Sequence, residues 1–175
     1  MDHTADTLNA DRPLWAPWRI EYIRSIKEDE CFLCTSHSDD PEASKLVIAR
    51  GESCYVLLNA YPYNAGHALV APYEHQPDLS DLPESTVHEM TSMILITKQV
   101  MQEVMAPQGY NYGYNLGAAA GAGCAAHVHG HLVPRWHGDT NFMPVIGNTR
   151  VIPESLFATA ELLRDNWPEN QDARE

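Results

Sequence analysis

The stretch of sequence that decides the fold is residues 127–134, which read His127-Val128-His129-Gly130-His131-Leu132-Val133-Pro134. Its three histidines occupy alternate positions. Alternate residues of a β-strand share one face and lie about 6.8 Å apart, so the intervening Val128 and Leu132 would point to the opposite face. The alternation therefore predicts a strand over 126–133, with imidazoles on one face and an apolar, core-forming face on the other.

Three imidazoles on one face allow three interpretations. They could be histidines without a chemical role, they could together bind a metal ion, or one could attack phosphorus as a nucleophile. An unperturbed imidazole has a pKa of about 6.5 and is largely neutral at neutral pH. The middle residue, His129, has an imidazole on each side, so one neighbour can orient it while the other handles a proton. This arrangement favours His129 as a nucleophile.

The hydrophobic pattern around this stretch predicts further strands and helices. Runs rich in apolar and β-branched residues predict strands at 46–49, 54–58, 67–71 and 110–116. Apolar residues that recur every three or four positions predict a helix over 83–105; they are Val87, Met90, Ile94, Met101 and Met105. Other helices are predicted over 153–167 and, as a short segment, over 21–27. Short strands with segregated helices indicate an α+β fold with a five-stranded antiparallel sheet and two main helices.

The length and charge of the chain restrict the class of protein. Its 175 residues suit one domain, predicted over 13–167 between tails at 1–12 and 168–175. The formal net charge of -13 argues against binding to nucleic acid, which needs a basic face, although backbone N–H groups can hold the phosphates of a small nucleotide. The N-terminus lacks the features of a secretory signal, and no window approaches eighteen apolar residues. We therefore expect a cytoplasmic protein with no membrane partner.

The chain contains four cysteines, namely Cys31, Cys34, Cys54 and Cys124. Disulfides are uncommon in cytosolic proteins, so Cys54 and Cys124 are predicted to be isolated, buried thiols. Cys31 and Cys34 form a CxxC pair in a predicted tight connection. Such a pair is either half of a tetrahedral zinc site, which needs two further ligands, or two reduced thiols.

Several motifs resemble, in the same order, those of the histidine-triad (HIT) family. Residues 127–133 are similar to its HxHxHxx signature. The family's nucleotide-binding block is similar to Leu58-Asn59, Pro62 and residues 66–72 of this chain. Its phosphate loop is similar to Asn115-Leu116-Gly117 and Ala120-Gly121. Residues 14–19 and 134–142 are similar to the bacterial diadenosine tetraphosphate phosphorylase-like branch. The resemblance covers most of the chain and implies an HIT-like fold.

The resemblance implies a catalytic role for three histidines. His129 would attack the α-phosphorus of a nucleotide and carry a nucleotidyl group, and His131 would contact that phosphate and assist proton transfer. His67 would support the triad, although it could instead be structural. The implied reaction is cleavage of a phosphoanhydride, with diadenosine tetraphosphate or a related dinucleoside polyphosphate as the favoured substrate and water or phosphate as the acceptor. The alternatives are a nucleoside phosphoramidate hydrolase and a zinc-stabilised nucleotide-binding module without turnover.

The resemblance also implies a set of nucleotide-binding residues. Asn59 would bond the ribose, although it could instead be a turn former before Pro62. Phosphate oxygens would be held by Asn115 and by the backbone around Gly121, Ala122 and Gly123; the alternative is that this segment is only a flexible loop. Trp136 would wall the pocket or pack in the core.

In zinc-containing members of the family, a CxxC pair joins two histidines, and the matching positions here are Cys31, Cys34, His75 and His127. The resemblance therefore implies a structural zinc ion that pins the N-terminal segment to the catalytic strand, without an organic cofactor. It also implies a homodimer.

The chain departs from the family pattern at two points. Gly130 stands where a bulky apolar residue is usual, so it is expected to remove a core contact and to loosen the strand. Ala122 and Gly123 replace polar side chains that many relatives place before the triad.

Overall fold

The computed structural model describes residues 31–140, 142, 143, 146 and 154–168. Three α-helices are described along their whole length: α1 (Phe32–Ser36), α2 (Glu84–Met105) and α3 (Leu156–Asp165). The five strands are β1 (Val47–Arg50), β2 (Cys54–Leu58), β3 (Ala68–Pro72), β4 (Gly109–Tyr114) and β5 (Gly130–Arg135). Short 3₁₀ turns lie at Leu79–Asp81 and Ala118–Ala120.

All five strands form one antiparallel sheet in the order β1-β2-β3-β5-β4. This confirms the predicted fold, a five-stranded antiparallel sheet with two main helices. Strands β2 and β3 are buried along their whole length, because both faces of the sheet are covered. Val56 and Leu58 point into the larger core beneath α2 and α3, whereas Tyr55 and Leu57 belong to a smaller cluster beside α1.

The long helix α2 buries the apolar stripe that the sequence predicted. Met90, Ile94 and Met101 are buried in the larger core, and Val87 and Met105 pack against it. The helix ends at Met105 because the next residue, Ala106, adopts a left-handed conformation with φ of 47°. None of the helices in the described ranges is long and apolar enough to span a membrane.

The predicted strand over 126–133 is wrong at its start. β5 begins only at Gly130, so His127 and His129 precede the strand. The Val128 N–H donates to the carbonyl of Gln76 at 2.7 Å instead of joining a sheet ladder. The alternation of faces nevertheless persists, since Val128 and Leu132 are both in the larger core.

Three other predicted boundaries also need correction. The predicted tight connection at Cys31–Cys34 is largely a helical turn, α1. The predicted strand over 110–116 ends at Tyr114, and α3 begins at Leu156 rather than at Pro153. The tail at 1–12, the segment at 14–19 and the short helix predicted over 21–27 lie outside the described residues, as does nearly all of the C-terminal tail.

The expected loss of a core contact at Gly130 does not occur. A Cβ atom built at this position would lie 3.1 Å from the Tyr114 ring and 3.2 Å from Ile94 Cδ1. Tyr114 is the β4 residue paired with Gly130, so its ring occupies the space that a larger side chain would need. Gly130 therefore permits a close packing of β4 and α2 against the histidine segment.

Candidate functional site

The first feature of the site is a hydrogen-bonded pair of histidines on neighbouring strands. β3 pairs with β5 so that Leu69 lies opposite His131, and His67 immediately precedes β3. Nε2 of His67 lies 3.0 Å from Nδ1 of His131. His67 is buried, whereas His131 is partly exposed.

Backbone chemistry fixes which nitrogen carries the proton in this pair. The Tyr63 N–H donates to Nδ1 of His67 at 3.0 Å, so that nitrogen is an acceptor and the proton of neutral His67 is on Nε2. Nε2–H then donates to Nδ1 of His131, which leaves the His131 proton on its Nε2. The side-chain amide of Asn115 lies 3.4 Å from that Nε2, and this tautomer requires the amide oxygen of Asn115 to face it.

The same reasoning fixes the tautomer of His129. Its Nδ1 lies 2.8 Å from the carbonyl oxygen of His127. A carbonyl oxygen can only accept, so Nδ1 carries the proton and Nε2 retains its lone pair. The residue is 5% exposed, and burial lowers its pKa, which keeps the imidazole neutral. His129 thus has the protonation state of a nucleophile.

His129 and His131 place a lone pair and an N–H donor side by side. Their ring centroids are 4.9 Å apart. Burial, with a smaller contribution from His129, lowers the pKa of His131 to about 4, so both rings are neutral at pH 7. One ring can attack phosphorus through Nε2 while the other donates a hydrogen bond through its own Nε2.

Asn59 lies next to His67, and both the oxygen and the nitrogen of its side-chain amide make contacts. Its Oδ1 accepts from the Tyr61 N–H at 2.8 Å, and its Nδ2 lies 3.3 Å from Nδ1 of His67. Asn59 therefore shapes the loop before β3 and supports His67. One amide hydrogen and one oxygen lone pair remain for a ligand.

The glycine-rich segment between Asn115 and His127 joins two parts of the site. Gly117 and Gly121 have φ angles of 79° and 86°, which residues with a Cβ rarely adopt. No atom lies within 4 Å of a Cβ built at either position or at Gly123, and Ala122 is partly exposed. The backbone of Gly121, Ala122 and Gly123 is thus accessible to a ligand.

Trp136 lies elsewhere. It lines a groove of about 450 Å³ together with Asn64, Met105 and Asp139, and none of the triad histidines contributes to that groove. The Asp139 carboxylate accepts from the Trp136 N–H and from Asn64 Nδ2, and it pairs with the Arg135 guanidinium. The loop that carries Trp136 is thereby fixed to the loop that precedes His67.

A candidate metal centre includes His127, the first histidine of the triad. The ligand atoms of Cys31, Cys34, His75 and His127 are all within 4.8 Å of one another. Nδ1 of His75 is 3.2 Å from the Cys34 sulfur, and Nδ1 of His127 is 3.4 Å and 3.5 Å from the sulfurs of Cys31 and Cys34. Sulfur and nitrogen ligands of one tetrahedral zinc ion are about 3.5 Å apart, given the usual bond lengths.

The protonation of His127 also suits a metal. Its Nε2 lies 2.9 Å from the Pro72 carbonyl oxygen, so Nε2 carries the proton and Nδ1 presents a lone pair to the two sulfurs. Hydrogen bonding from Cys124 lowers the pKa of Cys31, which favours the thiolate that binds metals. The four residues therefore fit a zinc ion.

Sequence reasoning missed two neighbours of these groups. The Tyr63 ring lies 4.5 Å from the His67 ring and is inclined by only 17° to the His131 ring; an aromatic residue four positions before His67 was the available signal. The prediction that Cys124 is an isolated, buried thiol was wrong, because it is partly exposed and its sulfur lies 3.6 Å from that of Cys31. Its position three residues before His127 was the available signal.

Comparison with known proteins identifies the family. The HIT domain model matches residues 40–138. The AP-4-A phosphorylase of Mycobacterium tuberculosis is 39% identical over 162 residues, which cover 88% of this chain and 83% of that protein. A zinc-bound histidine triad protein from Mycobacterium smegmatis is 30% identical, with a TM-score of 0.59 over 74% of this chain and 88% of that one.

A histidine triad nucleotide-binding protein from Sulfolobus tokodaii shares the fold at 21% identity, with a TM-score of 0.62 over 79% of this chain and 93% of that one. The match to the family model covers more than half of the chain, and the mycobacterial relatives extend over most of it. The chain belongs to the HIT family.

Proposed function

We propose that this chain cleaves a phosphoanhydride bond of a dinucleoside polyphosphate, with diadenosine tetraphosphate as the favoured substrate, through a nucleotidyl group carried by His129. The observation that carries the proposal is the tautomer of His129, whose Nδ1–H is held by the His127 carbonyl. Membership of the HIT family supports a nucleotide-processing enzyme. The name of the tuberculosis relative supports the particular substrate.

In the first step, the Nε2 lone pair of His129 attacks the α-phosphorus of one adenylate. A P–N bond forms as the bond from phosphorus to the bridging oxygen breaks, and ATP leaves. Nε2–H of His131 donates a hydrogen bond to that oxygen. Because the leaving polyphosphate is already a stable anion, it needs little protonation, which suits a histidine that is neutral at pH 7.

In the second step, an oxygen of inorganic phosphate attacks the same phosphorus. The P–N bond breaks, ADP leaves, and the imidazole of His129 regains its lone pair. Phosphate is the proposed acceptor because the tuberculosis relative is named a phosphorylase. With water as the acceptor the released nucleotide would be AMP.

The nucleotide contacts are proposed from the accessible polar groups around the triad. The remaining amide hydrogen of Asn59 would bond a ribose hydroxyl. Asn115 and the backbone N–H groups around Gly121, Ala122 and Gly123 would hold phosphate oxygens. Two arginines that could otherwise bind phosphate already have partners: Arg135 pairs with Asp139, and Arg164 donates to the Val47 carbonyl. We therefore assign the phosphate contacts to backbone N–H groups rather than to these two side chains. Trp136 is proposed to contact a part of the substrate that lies away from the triad.

We also propose a structural zinc ion on Cys31, Cys34, His75 and His127, a proposal that the zinc-bound relative from Mycobacterium smegmatis supports. The ion would contribute folding energy by joining α1 to the segment before β5. A homodimer is proposed from the family resemblance alone.

Product analysis tests the proposed reaction. The purified chain is incubated with diadenosine tetraphosphate, with and without inorganic phosphate, and the nucleotides are separated by ion-exchange chromatography. We expect ADP and ATP in equal amounts, formed only with phosphate. AMP and ATP would indicate hydrolysis, faster turnover of adenosine phosphoramidate would favour the phosphoramidate hydrolase, and tight binding without turnover would favour the binding module.

A further inference from the structure

Cys124 lies against the candidate metal centre without being one of its four members. Its sulfur is 3.6 Å from the sulfur of Cys31, 93 positions away in the chain. Both residues are partly exposed rather than enclosed in the core, which is consistent with access by a small solute. The two sulfurs belong to different parts of the fold, since Cys31 is the N-cap of α1 and Cys124 lies in the glycine-rich segment, directly after Gly123.

We propose that Cys31 and Cys124 form a peroxide-sensitive thiol pair whose disulfide removes Cys31 from the metal centre. The inference rests on the proposed zinc site but not on the proposed nucleotide reaction. It assigns an oxidative modification site to the chain, with hydrogen peroxide or a small organic hydroperoxide as the oxidant.

The chemistry balances in two steps. One thiolate attacks a peroxide oxygen, the O–O bond breaks, and a sulfenic acid and one molecule of water or alcohol form. The second sulfur then attacks the sulfenic sulfur, an S–S bond forms, and water leaves. In total two thiols lose two electrons and two protons, and one peroxide is reduced.

The geometry favours Cys124 over Cys34 as the partner of Cys31. The Cys34 sulfur contacts the imidazoles of both His75 and His127, so its place is within the ligand set. Closing the gap from 3.6 Å to a bond of about 2.05 Å needs a shift of about 1.5 Å. Cys124 follows Gly121 and Gly123, where no atom would meet an added Cβ within 4 Å, so its backbone has room to move.

The consequence is loss of the metal. A disulfide sulfur is no longer a thiolate and does not replace one as a zinc ligand, so only Cys34, His75 and His127 would remain. Oxidation is therefore expected to release zinc, and a dithiol reductant with added zinc is expected to restore it.

Peptide mapping tests the linkage because trypsin separates the cysteines. Cleavage after lysine and arginine places Cys31 and Cys34 in residues 28–45, Cys54 in residues 51–98 and Cys124 in residues 99–135. The zinc-loaded chain is treated with an equivalent of hydrogen peroxide beside a chromogenic zinc indicator, blocked with N-ethylmaleimide and digested without reductant. We expect residues 28–45 linked to residues 99–135, fragment ions that place the bond at Cys31, and zinc release in step with linkage.

Two variants serve as a matched pair. Cys124→Ser is expected to slow zinc release by peroxide about tenfold or more, whereas Cys54→Ala, at a thiol buried in the core, is expected to release zinc like the wild type.

A disulfide within residues 28–45, no linked peptide, or unchanged zinc release in Cys124→Ser would each overturn the inference. If Cys124→Ser does not fold, the wild-type map decides. A chain that binds no zinc contradicts the proposed metal site, whereas one that binds zinc but forms no such linkage contradicts only this inference.

Discussion

Nε2 of His67 donates a hydrogen bond to Nδ1 of His131 at 3.0 Å, and this contact determines the side of His131 that carries its proton. The direction of the bond is set one step earlier, by the backbone N–H of Tyr63. A buried residue on one strand thus prepares a partly exposed residue on the next strand to face a ligand as a hydrogen-bond donor.

His67→Ala should therefore lower kcat by roughly tenfold to a hundredfold with little change in KM, because His131 is then free to adopt the other tautomer. His67→Gln should recover much of the loss, since an amide N–H can donate to Nδ1 of His131. The comparison is made by steady-state kinetics, with His88→Ala, an exposed histidine on α2, as the control. A rise in KM alone would assign His67 to substrate binding instead.

The fold was largely predictable from the sequence because its strands are short apolar runs with clear ends. β2 coincides with the predicted 54–58, and β3 lies within one residue of the predicted 67–71. The start of β5 was not predictable, because the Val128 N–H bonds to Gln76, which is distant in sequence. The periodicity of a sequence predicts which face of a strand a side chain occupies, but it does not predict which group a backbone N–H will bond.

The residues that form the site were predictable from the sequence, but the contacts that connect their side chains were not. The four possible zinc ligands are the same four that the structure brings together. In contrast, no sequence pattern indicates that the Asn59 amide is shared between Tyr61 and His67. The spacing of Cys124 from His127 suggests that it lies near the metal centre, but it does not indicate that its sulfur contacts that of Cys31. These contacts depend on how loops close over the sheet, which the local sequence does not specify.

His129→Ala should abolish turnover of diadenosine tetraphosphate, with a loss of roughly three orders of magnitude or more, while nucleotide binding and the melting temperature change little. In the wild type, quenching without acid should preserve an adenylyl group on tryptic residues 99–135, which contain all three triad histidines. Fragment ions should place the group on His129. An adduct on His127 or His131, or an active His129→Ala, would contradict the assignment.

The low pKa of His131 predicts a loss of stability in mild acid. The unfolded residue binds a proton near its ordinary pKa of 6.5, whereas the folded residue resists protonation down to about 4. Between these values the unfolded state binds more protons, so stability is full above pH 6.5 and falls as the pH decreases toward 4. Melting temperatures from pH 7.5 to 4.5 should fall less steeply in His131→Gln than in the wild type. Parallel curves would show that other groups dominate.

Removal of the proposed zinc ion should destabilise the chain. Metal analysis is expected to give close to one zinc per chain, and Cys34→Ser should bind little zinc and melt roughly 5 °C or more below the wild type. Chelator-treated wild type should melt near the variant, and added zinc should restore only the wild type. Equal melting temperatures with and without metal would contradict a structural role.

Gly130→Ala should destabilise the chain by about 1–3 kcal/mol, because the added methyl group meets Tyr114 and Ile94 Cδ1 at 3.1–3.2 Å. Gly113→Ala, on the neighbouring strand where an added Cβ meets nothing within 4 Å, is the control and should change stability little. Ile94→Val removes the crowded Cδ1, so the double variant should be more stable than the sum of the two single effects requires. Denaturant unfolding of the four proteins measures this coupling. Additive effects would show that the crowding at Gly130 is relieved elsewhere, by movement of the Tyr114 ring.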